Sequence, residues 1–418
     1  MEEHQNHVHG SIFVVKFGGS SLANGEKISN AVKAVAKELG KGAKIAVVVS
    51  AMGKTTDFLL ETIKEAINCE KMACNTDVDD VLAMGERTSA RIFSAALKAN
   101  GVRCRYFDPS DPDWPIITNE VPMNADPILE ICEGRICKYV LPLLNEGVVV
   151  VVPGFVGKTS DGKITTMGRG GSDITAFVLA RALKAKQVIL VTDVDGIMTA
   201  DPKLVKSARK IPQIDINSLI GLASSSYKFL QRKALKYKED WMDVKIINHA
   251  HGDLGVEGTV IKGSLTRNTA SVDFSEAIAS ITIVGKGLSQ SPDILHQVVQ
   301  KLRISEVQLL GFSANYDSMI IYIPENMLDK VLEPLHMVVY DNSEAIAMAV
   351  RKNLALIKIK RAELEETPGV IGGLTRALSM KGINIYGLFT VASGIHVFVD
   401  RANVEEALAV VRKSLEEN

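Results

Sequence analysis

Short apolar strands alternate with helical segments through the first 264 residues, and this pattern restricts the fold more than any other feature. Four runs are rich in valine, isoleucine and leucine and lack the polar alternation of half-exposed strands: residues 11–16, 45–49, 148–152 and 187–191. Segments with apolar residues at helical spacing lie between them. Buried strands that alternate with helices predict an α/β fold, in which helices cover both faces of a mostly parallel sheet. We therefore expect a three-layer architecture.

Polar clusters rich in glycine follow the ends of these strands. They are FGGSS at residues 17–21, SAMGKTT at 50–56 and TDVDG at 192–196. Ligands of a parallel sheet bind beyond the carboxyl ends of its strands, so we expect the clusters to meet at one site. Lys16 ends the first strand beside the Gly-Gly turn and is placed to meet a phosphate. The alternative for Lys16 is an ordinary solvated strand end.

A further glycine cluster, KITTMGRGGSD at residues 163–173, precedes an apolar helical run at 174–183. Its glycines allow backbone N–H groups to approach a charged ligand, and the N-terminus of a helix favours anions. Arg169 adds a guanidinium group that suits a carboxylate or a phosphate. Asp173 is either an ordinary N-cap or a catalytic acid. The segment therefore predicts an anion-binding site.

The pattern changes near residue 264, where shorter strands and helices follow in the order β-α-β-β, twice. This arrangement predicts two ferredoxin-like units after the main domain. The expected boundaries are a disordered leader at 1–10, a catalytic domain at 11–264, and small units at 270–345 and 346–418. Because exposed edge strands need cover, we expect these units to pair in a homodimer or a larger homo-oligomer.

Composition argues against several classes of protein. The 418 residues are 46% hydrophobic and 23% charged, with a net charge of −1, which does not favour binding to nucleic acid or to an anionic membrane. The five cysteines form no CxxC pair, the N-terminus is too polar for a signal peptide, and no apolar run is long enough to span a bilayer. We therefore predict a cytoplasmic protein. Three leader histidines could bind metal, but a disordered leader is the expectation, and no metal ligand is assigned.

Taken together, the motifs resemble those of aspartate kinases in the amino acid kinase family, over nearly the whole chain. They occur in the family's order and spacing: KFGGSS (16–21), SAMGKTTD (50–57), MGER (84–87), a segment at 154–173 that ends in ITTMGRGGSD, and TDVDGIMTADP (192–202). The C-terminal units resemble paired ACT domains, with TPGV at 367–370 as the clearest motif. The resemblance implies the amino acid kinase fold followed by two ACT units.

The activity implied by the resemblance is phosphorylation of the β-carboxylate of L-aspartate by ATP with Mg²⁺. That reaction is the first step in the synthesis of lysine, threonine and methionine. The ACT units imply feedback regulation, with lysine or threonine as the effector. Two alternatives remain open: a kinase for another carboxylate, such as glutamate or N-acetylglutamate, and a non-catalytic amino-acid sensor.

The resemblance also implies roles for individual residues. Lys16 and Asp173 would be catalytic, with Asp173 orienting the lysine. Arg169 would hold the substrate α-carboxylate and Glu86 its ammonium group, although a solvated helix position is the alternative for Glu86. The substrate set is Thr56, Glu86, Arg169, Gly170 and Ser172. The nucleotide set is Lys16, Phe17, Gly18, Gly19, Ser20, Thr192, Asp193, Met198, Asp201, Pro202, Lys203 and Lys228.

One family segment, GAKVLHP, has no recognisable counterpart here. Counting back from Gly258 and Thr259 places Lys228 at its lysine, which in the family lies on the nucleotide side. Arg232 and Lys233 are close alternatives for that role.

Overall fold

The computed structural model describes residues 10–66, 76–223, 230–265, 269–272, 276–360, 368–391 and 394–416. The chain forms two compact units, Met1–Leu265 and Thr266–Asn418, called here the N-terminal and C-terminal units. Of the predicted leader only Gly10 is described, and Lys228 lies outside the described residues. None of the described helices is long and apolar enough to cross a membrane.

The N-terminal unit is built on an eight-stranded sheet in the order β3-β4-β2-β1-β7-β9-β10-β8. Its strands are β1 Ile12–Phe17, β2 Lys44–Val49, β3 Cys104–Tyr106, β4 Val149–Pro153, β7 Gln187–Thr192, β8 Gln213–Asp215, β9 Asp243–Asn248 and β10 Thr259–Lys262. All neighbours run parallel except β9 and β10. Two further strands, β5 Val156–Lys158 and β6 Ile164–Thr166, form a separate antiparallel hairpin.

Helices cover both faces of this sheet. They are α1 Gly25–Leu39, α2 Thr55–Ala66, α3 Thr76–Ala99, α4 Leu129–Tyr139, α5 Leu141–Asn145, α6 Gly171–Leu183, α7 Ile216–Ala223 and α8 Arg232–Leu235. Successive strand residues enter opposite cores: Val14 packs with α4 and α6, whereas Val15 packs with α1 and α3. Strands with both faces buried have no polar face to expose, which explains their unbroken apolar sequence. The three-layer, mostly parallel α/β prediction is confirmed.

The Pro- and Asp-rich segment at 105–127 is irregular, as its sequence indicates, but it is not confined to the surface. Phe107, Trp114 and Ile116 are fully buried. The Trp114 indole N–H donates to the Ile116 carbonyl at 2.8 Å, so the ring can be buried without an unsatisfied donor. Turn residues report backbone direction and not exposure, so this composition does not indicate whether the segment is buried.

The C-terminal unit has one seven-stranded sheet in the order β13-β14-β12-β15-β17-β16, with β11 also paired to β15. Its elements are β11 Thr269–Val272, β12 Ile278–Gly285, α9 Pro292–Ile304, β13 Gly311–Ala314, β14 Ser318–Pro324, α10 Leu328–Asp341, β15 Ala345–Lys360, α11 Val370–Met380, β16 Ile385–Val391, β17 Gly394–Asp400 and α12 Val404–Glu416. Two helices pack with each half of the sheet, which gives two ferredoxin-like halves.

The 16-residue strand β15 belongs to both halves. Its first part pairs with β12, and its last part pairs with β17 and β11. The predicted border between residues 345 and 346 therefore falls at the start of a continuous strand. Strand β11 precedes both halves in sequence but pairs with residues 357–360 of the second. The two halves are thus interleaved and are not a simple tandem.

Candidate active site

A cleft of about 570 Å³ opens beyond the carboxyl ends of β1 and β2, beside the N-terminus of α6. Residues from seven separated segments of the sequence line it. They include Lys16, Gly19, Thr56, Glu86, Arg169, Gly170, Ser172 and Asp173, all of which were predicted from the sequence. The loops after neighbouring strands therefore converge on one cavity.

Lys16 and Asp173 form an ion pair at the base of this cleft. Lys16 lies on β1, which pairs with β2 on one side and β7 on the other, so its backbone is held firmly. Its ammonium nitrogen is 2.7 Å from Asp173 Oδ1, with the side chains 15% and 4% exposed. That oxygen accepts no aligned hydrogen bond, so the contact is an ion pair by distance. Lys16 is therefore not a solvated strand end.

Asp173 lies inside the first turn of α6 and is not its N-cap. The N-cap is Gly170, whose φ of 80° places it in the left-handed region. The helix begins at Gly171, three residues before the apolar run that marks it in the sequence. The carboxylate of Asp173 thus turns toward Lys16 from the first turn of the helix.

Glu86 projects from α3 and is almost fully buried, at 4% exposure. Burial raises the pKa of this carboxyl group to about 8, and backbone hydrogen bonds oppose the rise only in part. Its Oε2 has no hydrogen-bond partner. The solvated alternative is therefore wrong. A buried, unpaired carboxyl group facing a cleft is costly to keep, so it is a candidate contact for a cation that is not part of the chain.

Gly85 explains how α3 comes so close to the loop after β2. A Cβ atom at this position would lie 2.8 Å from the Cβ of Ala51, which is closer than side-chain atoms can approach. The glycine costs the helix about 1 kcal/mol in propensity. The close approach allows the Ala51 backbone to contact the Glu86 carboxyl group, and Thr56 lines the same cleft.

Arg169 stands at the open side of the cleft. Its side chain is exposed, and it has no hydrogen-bond or ion-pair partner among the residues that the structure describes. Ser172, in the first turn of α6, accepts a hydrogen bond from Ser50 at 3.0 Å. Ser50 also lines the cleft, and the sequence interpretation did not single it out. The cleft thus contains a guanidinium group with no partner among the described residues, a carboxyl group with one unpartnered oxygen, and paired hydroxyl groups.

Most residues of the predicted nucleotide set lie beside this cleft and not in its lining. Thr192 is the last residue of β7, the immediate neighbour of β1, and Asp193 follows it. The Gly18 N–H donates to the Val191 carbonyl at 3.0 Å, so this donor, expected to meet phosphate, is already engaged. Phe17 is 1% exposed and packs against Phe93, so its side chain belongs to the core. The engaged Gly18 N–H and the buried Phe17 side chain both differ from the expected contact with the nucleotide. Both follow from the sheet, because β1 and β7 stay paired up to the turn.

Four further nucleotide candidates, Met198, Asp201, Pro202 and Lys203, lie in the loop after β7. Asp201 accepts a hydrogen bond from the Lys203 N–H at 2.9 Å, which shapes the turn around Pro202. Met198 forms an isolated antiparallel β-bridge with Lys210. Lys233, an alternative to Lys228, does not extend toward this loop. Its ammonium group bonds instead to oxygens of Asn124, Ala125 and Met167 on the other side of the cleft.

Comparisons with known proteins agree with this architecture. The model of the amino acid kinase family matches residues 11–248. An aspartokinase of Geobacillus stearothermophilus is 31% identical over 391 residues, which cover 90% of this chain and 89% of the relative. The chain belongs to the aspartokinase family. A second aspartokinase, from Thermus thermophilus, is 29% identical over 418 residues and is matched over 99% of its length. Membership makes the chain an aspartate kinase, a phosphotransferase with a carboxyl group as acceptor.

Solved aspartokinase structures share the fold. Aspartate kinase from Synechocystis superposes with a TM-score of 0.78 at 24% identity, over 97% of this chain and 69% of that one. Aspartokinase III of E. coli, in complex with aspartate and ADP, gives a TM-score of 0.53 at 22% identity, over 97% and 99% of the two chains. The same enzyme has also been solved with lysine and aspartate. At these identities the similarity establishes the fold alone.

Proposed function

We propose that the chain transfers the γ-phosphoryl group of MgATP to the β-carboxylate of L-aspartate, giving 4-phospho-L-aspartate. This reaction would be the first step toward lysine, threonine and methionine. The observation that carries the proposal is the meeting of Lys16, Asp173, Arg169 and Glu86 in one cleft. The complex of E. coli aspartokinase III with aspartate and ADP supports the same pair of ligands.

The cleft offers a complementary group for each charge of aspartate. We infer that Arg169 binds the α-carboxylate as a bidentate pair, because its guanidinium is exposed and has no partner in the described part of the chain. Glu86 receives the ammonium group, which would satisfy its unpartnered Oε2. Thr56 and Ser172 add hydrogen bonds. The β-carboxylate is then left to face Lys16, which is the arrangement needed for transfer to that oxygen.

Phosphoryl transfer requires positioning and charge neutralisation more than covalent catalysis. We infer that Lys16 neutralises charge on the transferring group and that Asp173 holds the ammonium in place, 2.7 Å away. The nucleotide would extend from Gly19 and Ser20 toward Thr192, Asp193 and residues 198–203. MgATP supplies the phosphoryl group. Among the described residues, no set of three or more His, Cys, Asp or Glu side chains is grouped to hold a metal ion, so Mg²⁺ would be bound chiefly by phosphates and water.

The high pKa of Glu86 predicts that aspartate binds more weakly at low pH. The folded pKa of about 8 means that the carboxyl group is mostly protonated at neutral pH, and it must ionise to pair with an ammonium group. We expect the KM for aspartate to rise by up to about tenfold for each pH unit below the pKa. The KM for ATP should change much less. In Glu86→Gln the KM for aspartate should be high and independent of pH, and a flat profile in the wild type would contradict the assignment.

An assay of ADP release separates the proposed activity from its alternatives. With ATP and Mg²⁺, we expect turnover with L-aspartate and little with glutamate or N-acetylglutamate. Preference for either of the latter would assign another carboxylate kinase. Absence of turnover with all three would favour the non-catalytic sensor. Intact Lys16, Arg169 and Asp173 in one cleft argue against the sensor.

We also propose that the C-terminal unit binds an amino-acid effector, lysine or threonine, and that it pairs with a second copy. The complex of E. coli aspartokinase III with lysine supports this choice. Among the described strands, the first part of β15 pairs with β12 alone, and Ile346 there is 73% exposed. We expect lysine or threonine, but not methionine, to lower the rate of ADP release at fixed substrate. An unchanged rate with all three, together with a monomer by light scattering at micromolar concentration, would contradict the proposal.

A further inference from the structure

One wall of the cleft is a turn that the sequence does not mark, formed by residues 121–126 and called here the Met123 turn. Met123 lines the cleft with a φ of 56°, a left-handed conformation that is strained for a residue with a side chain. The turn packs tightly against the glycine cluster. A Cβ atom on Gly168 would lie 3.0 Å from the Met123 carbonyl and 3.2 Å from Asn124 Oδ1. The position of Gly168, and of Arg169 after it, therefore depends on this turn.

Asp79 holds the turn from the side of α3. Its carboxylate is fully buried, and each of its oxygens accepts a hydrogen bond from the Met123 N–H at 3.1 Å. It also accepts one from the hydroxyl of Thr166, three residues before Arg169. Burial raises the pKa of Asp79, although these hydrogen bonds oppose the rise. On the same side of the turn, the Ala125 N–H donates a hydrogen bond to the Thr166 carbonyl at 2.9 Å.

Lys233 holds the turn from the opposite side. Its ammonium group donates to the carbonyls of Asn124, Ala125 and Met167, each at 3.1 Å, and to Asn124 Oδ1 at 2.8 Å. The side chain is 19% exposed, and the nearest carboxylate, that of Asp126, is 3.3 Å away. Met167 precedes Gly168 directly, whereas Asn124 and Ala125 belong to the Met123 turn. One ammonium group thus ties the turn to the residue before the glycine cluster.

The contacts of Lys233 affect the position of the Arg169 guanidinium. Without a cation between them, three carbonyl dipoles would converge with their negative ends together, and each would lose the hydrogen bond that the ammonium group donates. The turn and the glycine cluster would then separate or fluctuate. Arg169 is exposed and has no partner of its own among the described residues, so its position rests on the backbone that carries it.

We propose that Lys233 is a positioning residue: it clamps the Met123 turn against Gly168 and so fixes Arg169 for the substrate α-carboxylate. The inference rests on the proposed function, because it takes the role of Arg169 from there. It assigns Lys233 to the substrate side of the cleft and removes it from the nucleotide side, where the sequence had made it an alternative to Lys228. Asp79 acts on the same turn from the other face.

Steady-state kinetics of the full-length Lys233→Met variant test the inference. Methionine keeps the length of the stem and removes the cation. We expect the KM for aspartate to rise about tenfold, as for the loss of a charge-assisted hydrogen-bond cluster, with the KM for ATP changed less than about twofold. Lys33→Met, at an exposed position on α1, is the matched control and should leave both values unchanged. A rise confined to ATP, or no rise at all, would overturn the inference.

A double-variant cycle separates this inference from the proposed function. If Lys233 acts through Arg169, Lys233→Met should raise the KM for aspartate little further in the Arg169→Ala background. An additive rise would overturn the positioning role alone. An unchanged KM for aspartate in Arg169→Ala by itself would overturn the proposed contact of the arginine. If Lys233→Met does not fold, Asn124→Ala removes one exposed ligand of the ammonium group and should produce a smaller rise of the same kind.

Discussion

Lys16→Ala and Asp173→Ala should each lower kcat at least about 100-fold, the usual cost of removing one preorganised electrostatic contact from a transition state. Lys16 is placed by the central strand of the sheet, and Asp173 by the first turn of α6, with 2.7 Å between their charged atoms. Removing the lysine deletes the positive charge that would neutralise the transferring group. Removing the aspartate leaves that charge in the cleft but frees it to move. Measurement of kcat at saturating ATP and aspartate tests both variants.

Loss of the fold must be distinguished from loss of catalysis in these variants. Breaking a buried ion pair can cost about 3–5 kcal/mol, although Lys16 retains access to the cleft, which should reduce the cost. We therefore expect a cooperative thermal transition in both, at a lower Tm than the wild type. Lys33→Ala, an exposed lysine on α1, should match the wild type in kcat and Tm. A folded Lys16 or Asp173 variant that turns over at a near-normal rate would remove that residue from the mechanism.

Arg169→Ala should raise the KM for aspartate by about 10- to 100-fold, which corresponds to the roughly 1.5–3 kcal/mol of a hydrogen bond to a charged group. The side chain is exposed at the mouth of the cleft and has no partner among the described residues, so its removal should leave stability unchanged. The KM for ATP should stay within about twofold of the wild-type value. The measurement is a pair of saturation curves, one for each substrate.

Arg169→Lys is the informative control for this prediction. It keeps the positive charge but loses the planar fork that binds a carboxylate through two hydrogen bonds. We expect its KM for aspartate to lie between those of the wild type and the alanine variant. Equal increases for aspartate and ATP in Arg169→Ala would instead assign the arginine to the nucleotide.

The local parts of the fold could be predicted from sequence, because burial on two faces leaves a pattern within a single strand. The runs at 45–49 and 187–191 correspond to β2 and β7. Site residues near the end of a strand or the start of a helix could also be predicted from the sequence. Lys16, Arg169 and Asp173 do lie together in the cleft. For each, the chemistry of the residue and its place in a strand–loop–helix unit both point to the same edge of the sheet.

The contacts between distant segments could not be predicted in this way. Asp79 and Lys233 look like ordinary polar residues of helical segments, and their importance depends on a turn more than 40 residues from the nearer of the two. Strand β11 likewise joins a partner, residues 357–360, that local pattern does not reveal. A glycine within a helix, such as Gly85 in α3, can indicate a close approach of another segment, but it does not identify the neighbour.

The most direct test of the account is to identify which carboxyl group becomes phosphorylated. An acyl phosphate reacts with hydroxylamine to give a hydroxamate and inorganic phosphate, so the product records the position of the phosphoryl group. With the α-carboxylate on Arg169 and the ammonium on Glu86, the β-carboxylate is the one left facing Lys16. We predict aspartate β-hydroxamate, formed in step with ADP. Formation of the α-hydroxamate, or release of ADP with no hydroxamate, would contradict this arrangement of the cleft.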